Sequence, residues 1–570
     1  MDDNLSDDSS QDKYRELDAI ANFDFADKLG QDNKEKLNVV TITDNSEEKK
    51  QPNADVTITS KSSLVSRIRK TPAQRNTDWK AVESNQFYTR IVPSDNCKVP
   101  SLAHGLDRVL FNPGVHYIKD PRTDHYNFTS YLEDITQPTD FDYDALLPYT
   151  CPSEDKSLIE LARRNSKRYV GSTSSVSSAL AQFYFTLSKF KPVDITCLST
   201  VFANEATNYT RGCRAPASIY LRWKDGVYAI DVDKGFDVDD LDRDNDNDTD
   251  ETVLSYLGRS MEKVLTLEPD LYARYLKASQ LNIPDAEKNK PEAFAYGTVR
   301  AIGHDGLLTK DARLPRRVFD LKTRAVLPIR LDQGNYSDYT GYTLKRSHGL
   351  FESFEREYYD MIRAAFLKYS FQVRIGHMDG IMVTYHNTSK VFGFQYISRE
   401  EMDARLFGSS KMGNEAFRYA TLLFGKVLNA ATAKYPQQHC KTLKLSFEAR
   451  QTRMSPDVYM DIYAEPVRGT IDTDKKPADT FFRTKEMDTE HNEMSFFSLS
   501  TKSSVNTHRI DGPVELNHPD DHWQLKYRLH DAKLDLPEIQ QRYKEMRKRQ
   551  AIAYCTAGAR IPFLKQFINE

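Results

Sequence analysis

The sequence has no run of roughly 18 uncharged apolar residues, the length a membrane-spanning helix needs. A channel or transporter is therefore excluded, and the chain is expected to be soluble or at most peripherally attached. Cysteine is scarce: Cys97, Cys151, Cys197, Cys213, Cys440 and Cys555 lie far apart, with no C-x-x-C pair and no histidine at zinc-ligand spacing. Neither a disulfide scaffold nor a zinc ribbon fits, and scattered thiols suit a reducing compartment. A G-x-x-x-x-G-K-[ST] phosphate loop is missing. An Arg-rich, acid-poor leader is missing too: MDDNLSDDSS opens with four aspartates in ten residues. Read alone, that start means either a chain that stays in the cytosol or a start that is not the native one.

What is present is 39% hydrophobic and 28% charged residues over 570 positions, enough to bury at least one large core. The net charge of -4 is unevenly spread. Residues 1–60 carry 15 acids against 7 bases, so the remaining 510 residues balance at +4. A mildly basic body permits contact with an anionic polymer without demanding it. Composition divides the chain into a disordered acidic tail (1–75), a structured extension (76–165), a core (166–465), a low-complexity insertion (466–515) and a basic helical end (516–570), where QQRYKEMRKRQ stands out.

Several local patterns turn out chemically quiet. Residues 216–234 alternate aromatic and β-branched residues around Asp225-Gly226, a hairpin signal. In 237–251, nine acids imitate a calcium loop, but Asn247 replaces the turn glycine and Val253 the bidentate glutamate, so an acidic solvated insertion is expected. YVGSTSS, from Tyr169, reads as an N-capped core helix rather than a phosphate cradle. His104 and His116 lack an acidic partner at ligand spacing.

The informative stretch is HDGLLTKDARLPRRVFDLKTRAVLPIR, residues 304–330. Around Pro315 it breaks into two extended arms. In the second arm, period two puts Phe319 and Leu321 on one face, and Val318, Asp320 and Lys322 on the other. A carboxylate and an ammonium side by side on so apolar a strand are costly unless they line a cleft or a wet edge. On the first arm, Asp311 and Asp305 lie where a hairpin partner brings one of them near Asp320. Two carboxylates and a lysine on adjacent strands make the minimal site of a metal-dependent phosphodiesterase. The acid-x-Lys tripeptide also occurs at Asp78, Glu154 and Asp531, so strand context alone singles out Asp320 and Lys322. A partly exposed structural salt bridge is the competing reading.

RLPRRVFDLKTRA, SFEREYYDMIRAAFLKY (353–369) and QVRIGHMDGIMVTYHNT (372–388), together with AHGLDRVLFNPGVHYIKDPR and YVGSTSS, resemble the fungal mitochondrial RNA-processing family of petite protein one-twenty-seven. The likeness runs from about residue 95 to 465. It implies an α/β, PD-(D/E)XK-type fold with a restriction-endonuclease-like mixed central sheet flanked by helices. It also implies mitochondrial location, 5' end maturation and turnover of RNA, and a metal-dependent 5'-to-3' exoribonuclease. By position, Asp320 becomes a metal ligand and Lys322 the group that orients water. Asp311 is the upstream ligand, with Asp305 in reserve; the family pattern has a further acid where this chain has Leu308.

Two acids beyond these, Glu205 as a helix-borne carboxylate and Glu357 beside the metal, join the expected site with the phosphate-binding Arg356, a solvated helix face being the competing reading of residues 355–357; Arg374 and Asp379, around the turn that follows, are read as substrate contacts or as a structural pair. The expected cofactor is Mg²⁺ or Mn²⁺. Expected partners are single-stranded mitochondrial RNA, held by basic and aromatic residues without an RRM or KH module, and the mitochondrial RNA polymerase or RNA-decay factors, with peripheral inner-membrane association compatible. The alternative is a nuclease-like protein without catalysis that acts as an RNA-binding or regulatory partner of that machinery.

Overall fold

The computed structural model describes residues 78–82, 100–146, 150–233, 253–279, 295–296, 306–308, 318–451, 457–467 and 493–554. The expected acidic tail 1–75 and the acidic insertion 237–251 lie outside the described residues.

The protein is α/β, with mixed sheets flanked by helices, and its strands divide between two sheets rather than one. The larger contains β1 (Lys80–Ala81), β3 (Tyr169–Gly171), β4 (Ala217–Lys224), β5 (Val227–Val232), β6 (Ala295–Tyr296), β11 (Thr442–Gln451), β12 (Val458–Val467), β13 (Ser495–Val505), β14 (His508–Ile510) and β15 (Trp523–Asp531). Its order is β1-β15-β13-β12-β11-β4-β5-β3-β6, with β14 on β13. The smaller contains β2 (Val115–Tyr117), β7 (Gly306–Leu308), β8 (Val318–Ala325), β9 (Gly380–His386) and β10 (Val391–Ser398), in order β2-β10-β9-β8-β7.

Local chemistry explains the elements that the sequence announced. Asp225 at φ 46° and Gly226 at φ 97° turn β4 into β5, a tight turn whose second position suits a residue without Cβ. Ser172 caps the helix Thr173–Ser188 through a reciprocal box with Ser175, and that helix is buried along nearly its whole length. It is the core helix expected there. Helices of eight residues or more are Lys156–Arg164 (α1), Thr173–Ser188 (α2), Val253–Thr266 (α3), Phe354–Ala364 (α4), Phe366–Ile375 (α5), Arg399–Leu406 (α6), Ser410–Lys434 (α7) and Leu536–Tyr554 (α8).

Strand pairing crosses two of the expected segment boundaries. β13 falls inside the segment 466–515, expected to be an insertion, yet it pairs with β12 and β15 over long registers. The C-terminal segment likewise belongs to the large sheet through β15, and α8 covers part of that sheet's outer face at Tyr463 and Phe496. Low complexity hid β13 because SFFSLSTKSSV alternates apolar residues with serines, a half-buried strand that composition alone reads as polar.

α2 and α7 pack on the inner face of the large sheet, α5 packs on α2, and one continuous buried cluster joins residues of both sheets. The smaller sheet's other face is sealed by Phe319, Leu321, Met382 and Phe394 against Leu257 and Met261 of α3 and Leu106 and Val109. β8 and β9 are parallel, so the chain between them must cross over. It does so through α4 and α5, which lie on the face opposite Phe319 and Leu321. That crossover puts helices over the strand face carrying Asp320.

On the outer face of the large sheet, burial and the neighbouring Glu448 push the Asp461 carboxyl up to about 6, although Arg450 beside it acts the other way. A carboxyl with a raised folded-state pKa contributes stability below its ordinary value and loses it as pH climbs through the folded value. Relative to wild type, Asp461→Asn should therefore gain on the order of 2 kcal/mol between pH 4 and pH 7, read from urea unfolding at each pH.

Candidate functional site

Period two along β8 holds as expected: Phe319 and Leu321 enter one buried cluster, while Val318 belongs to the other. Asp320, Lys322 and Arg324 share the face under α4 and α5. The Lys322 Nζ sits 2.7 Å from Asp320 Oδ2, and 5.2 Å from the centre of the Tyr369 ring of α5. Asp320 is only 3% exposed, whereas the Lys322 side chain retains 23% exposure. Burial raises the Asp320 pKa, and Lys322 opposes the shift. The pair therefore consists of a nearly dry carboxylate and an ammonium that still reaches solvent.

Arg324, two residues further along, is 7% exposed and lies 3.4 Å through Nε from Glu357 Oε2. Its Nη2 finds no hydrogen-bond acceptor among the described residues. Glu357 is fully buried on α4: Oε1 accepts from the Leu327 backbone N at 2.7 Å, and Oε2 accepts from Arg330 Nη2 at 2.6 Å. The same Arg330 nitrogen lies 2.7 Å from Asp360 Oδ2, and Arg356 Nε lies 3.3 Å from Asp360 Oδ1. Burial works against the Asp360 charge, but Arg356, Arg330 and Arg324 outweigh it and draw its pKa down to about 2. Three guanidiniums and two carboxylates thus form one buried network beside the Asp320–Lys322 pair.

Several residues expected at the site are held in structural contacts, in this network or elsewhere. Glu357 has both oxygens engaged by structural donors, so it is not disposed as a metal ligand. Arg356 is 2% exposed and held against Asp360 and the Tyr359 ring, which withdraws it from phosphate in solution. Arg374 pairs with Asp403 at 2.7 Å and donates to Ser370 Oγ, with a side chain 4% exposed. It is a buried structural partner, and Asp403 rather than Asp379 completes the pair. Glu205 lies half-buried in a bend after the short turn Thr200–Phe202, beside Tyr359, and not on a helix. His104 and His116 bond backbone carbonyls of Val264 and Asn112.

Asp305 and Asp311 lie outside the described residues, one on each side of β7, whose Gly306 is the register partner of Asp320. Among the described residues no three His, Cys, Asp or Glu side chains come together as a metal site. The donor present, one buried carboxylate oxygen donor, fits a hard divalent cation but does not complete its shell. Asp320, paired with Lys322, is the one expected ligand that the described residues contain.

The sequence did not disclose Arg324, Arg330, Asp360 or Tyr369. Arg324 was within reach, since it continues the same period-two face. Arg330 and Asp360 meet only through the crossover.

A family model described as "Mitochondrial protein Pet127" matches residues 149–429, a span that contains Asp320, Lys322 and the whole buried network. The "mRNA degradation protein pet127, mitochondrial" of Schizosaccharomyces pombe is 35% identical over 353 residues, covering 61% of this chain and 66% of that protein. Over residues 149–429 the chain is similar to the Pet127 family. A second Pet127 relative, the "Putative mitochondrial translation system component PET127" of Saccharomyces cerevisiae, is 37% identical over 334 residues, covering 55% of this chain and 38% of that one. The chain thus spans less than two thirds of each curated relative's length. Both relatives are mitochondrial by name, which bears out the expected location. A crystal structure of Candida albicans Rai1 in complex with pU5 and Mn²⁺ aligns with 70% of this chain and 97% of its own at 10% identity, with a TM-score of 0.30, too distant to bear on the fold or the site. No described helix is long and apolar enough to cross a membrane.

Removing the Glu357 charge leaves Arg324 and Arg330 buried without it. Glu357→Gln should lower stability by about 3 kcal/mol in urea unfolding without added metal. Were Glu357 a cation ligand instead, the metal-free variant would be as stable as wild type or more so.

Proposed function

We propose that this protein is a metal-dependent ribonuclease that hydrolyses single-stranded mitochondrial RNA, acting exonucleolytically from the 5' end in RNA maturation and turnover. The observation that carries the proposal is the Asp320–Lys322 contact of 2.7 Å, a buried carboxylate and a partly exposed ammonium on one face of β8 beside the short strand β7. The name of the fission-yeast relative, an mRNA degradation protein, agrees with it.

In this reading Asp320 and Asp311, with Asp305 in reserve, would hold Mg²⁺ or Mn²⁺, which when bound supplies Lewis-acid activation of the phosphate. Lys322 orients the attacking water and stabilises charge developing on the phosphate oxygens. The Tyr369 ring limits the directions open to the Lys322 ammonium. Arg324 and Glu357 tie the strand to α4 on the face that carries Lys322, so that Lys322 has a rigid base.

A second reading has one observation in its favour. Leu308, a residue of β7, stands where the family pattern carries an acid, and a nuclease-like protein short of one ligand would bind RNA, or the mitochondrial polymerase or decay factors, without cleaving. Decay of 5'-labelled and 3'-labelled single-stranded RNA separates the two readings. Wild type in Mg²⁺ should release the 5' label first and stop in EDTA. Asp320→Asn and Lys322→Ala should each slow decay at least about a hundredfold. Absence of decay under either metal, with RNA binding intact, would leave the non-catalytic reading.

A further inference from the structure

On the outer face of the large sheet, α8 packs at Tyr463 and Phe496 and reaches β11 and β4 through Arg549–Glu448 and the Gln550 amide. Toward the β1 edge, alternation puts Trp523, Leu525 and Tyr527 of β15 inward and Lys526 and Arg528 outward. On β13, Leu499 and Thr501 face inward and Lys502 outward. Lys502 and Lys526 are direct cross-strand partners, and both are exposed. Two like charges directly opposite each other destabilise a strand pair. Among the described residues none of Lys502, Lys526 and Arg528 forms an ion pair; the carboxylates farther along this face, Asp461 and Glu448, are held by Arg450 and Arg549. Trp79, at the start of β1, lies with its ring 4.2 Å from the Lys502 Nζ and 5.2 Å from the Arg528 guanidinium.

We propose that this strip, Trp79 with Lys502, Lys526 and Arg528, is a docking surface for single-stranded RNA, separate from the Asp320–Lys322 site. The proposal rests on the ribonuclease reading for its choice of polyanion. Opposed cations with no carboxylate partner match a phosphate backbone, and an indole among them offers a stacking plane to a base. Asp320 faces α4 and α5 within the smaller sheet, whereas the strip faces outward from the large one, on the side away from α2 and α7. RNA held on the strip is therefore tethered while its end is worked elsewhere, which raises the local concentration of ends.

The test measures binding of a labelled single-stranded RNA to the full chain in EDTA, across a series of KCl concentrations. Wild type is compared with Trp79→Ala, with the double variant Lys502→Gln/Lys526→Gln, and with Lys502→Arg/Lys526→Arg as the conservative control. Expected is at least about tenfold weaker binding for the Gln pair, with the slope of log affinity against log salt shallower by about 1.4, and near wild-type behaviour for the Arg pair. Trp79→Ala should weaken binding severalfold with little change in slope. Near-UV circular dichroism matching wild type shows that the surface variants are folded. Gln-pair binding equal to wild type would overturn the strip and leave the ribonuclease reading untouched if wild type degrades RNA in Mg²⁺. Weaker Gln-pair binding with a wild type that degrades nothing would keep the strip and remove that reading. Loss of flotation with cardiolipin-containing vesicles, with RNA affinity unchanged, would overturn the strip as an RNA surface and mark it as a membrane contact.

Discussion

Everything at the candidate site depends on Glu357. The β8 strand turns an acid, a lysine and an arginine to one side, and the crossover between two parallel strands lays helices over that side. Three charges facing a helix layer would expel the helices unless the layer returned charge of its own. Glu357 does so at 0% exposure, holding Arg324 and Arg330 with one oxygen and the Leu327 backbone with the other. Asp360, kept ionised by three guanidiniums, closes the network on the Arg356 side. The consequence is a rigid wall: β8, the start of the short helix Leu327–Leu331 and α4 are tied together, and Asp320 and Lys322 stand at the end of that wall where it meets solvent.

The same network explains why charge on a helix face misled. Glu355, Arg356 and Glu357 in succession look like a solvated or substrate-facing surface, and nothing within the helix says otherwise. All three are buried. What buries them is the pairing of segments some thirty residues apart, Leu327 and Arg330 with Glu357 and Asp360, which no local period encodes. Arg374 is a parallel case, because its partner Asp403 arrives from α6. Strand alternation, by contrast, is local, and so the Asp320–Lys322 face and the Asp225-Gly226 hairpin were legible from the residues themselves. The capped helix after Ser172 was legible for the same reason. The division into two sheets was not, since strand pairing between β12, β13 and β15 joins stretches that composition had separated.

The molecule thus presents two chemically different places. One is a nearly dry carboxylate with a lysine at its side, the place proposed to hold a hard cation against a phosphate. The other is an open, cationic sheet face with an indole at its edge, suited to holding a strand without cutting it. Helices α2, α7 and α5 stand between the two sheets, and one continuous hydrophobic cluster makes them a single body. A substrate spanning both places would be long and flexible, as a single-stranded RNA is.

The central proposal is that Asp320 is one ligand of a divalent cation, with Asp311 as another. Mn²⁺ titration followed by electron paramagnetic resonance tests it without any reaction. The account predicts tight binding of Mn²⁺ by wild type, and loss of that binding in both Asp320→Asn and Asp311→Asn, with Glu205→Gln unaffected. Unchanged Mn²⁺ binding in Asp320→Asn would contradict it.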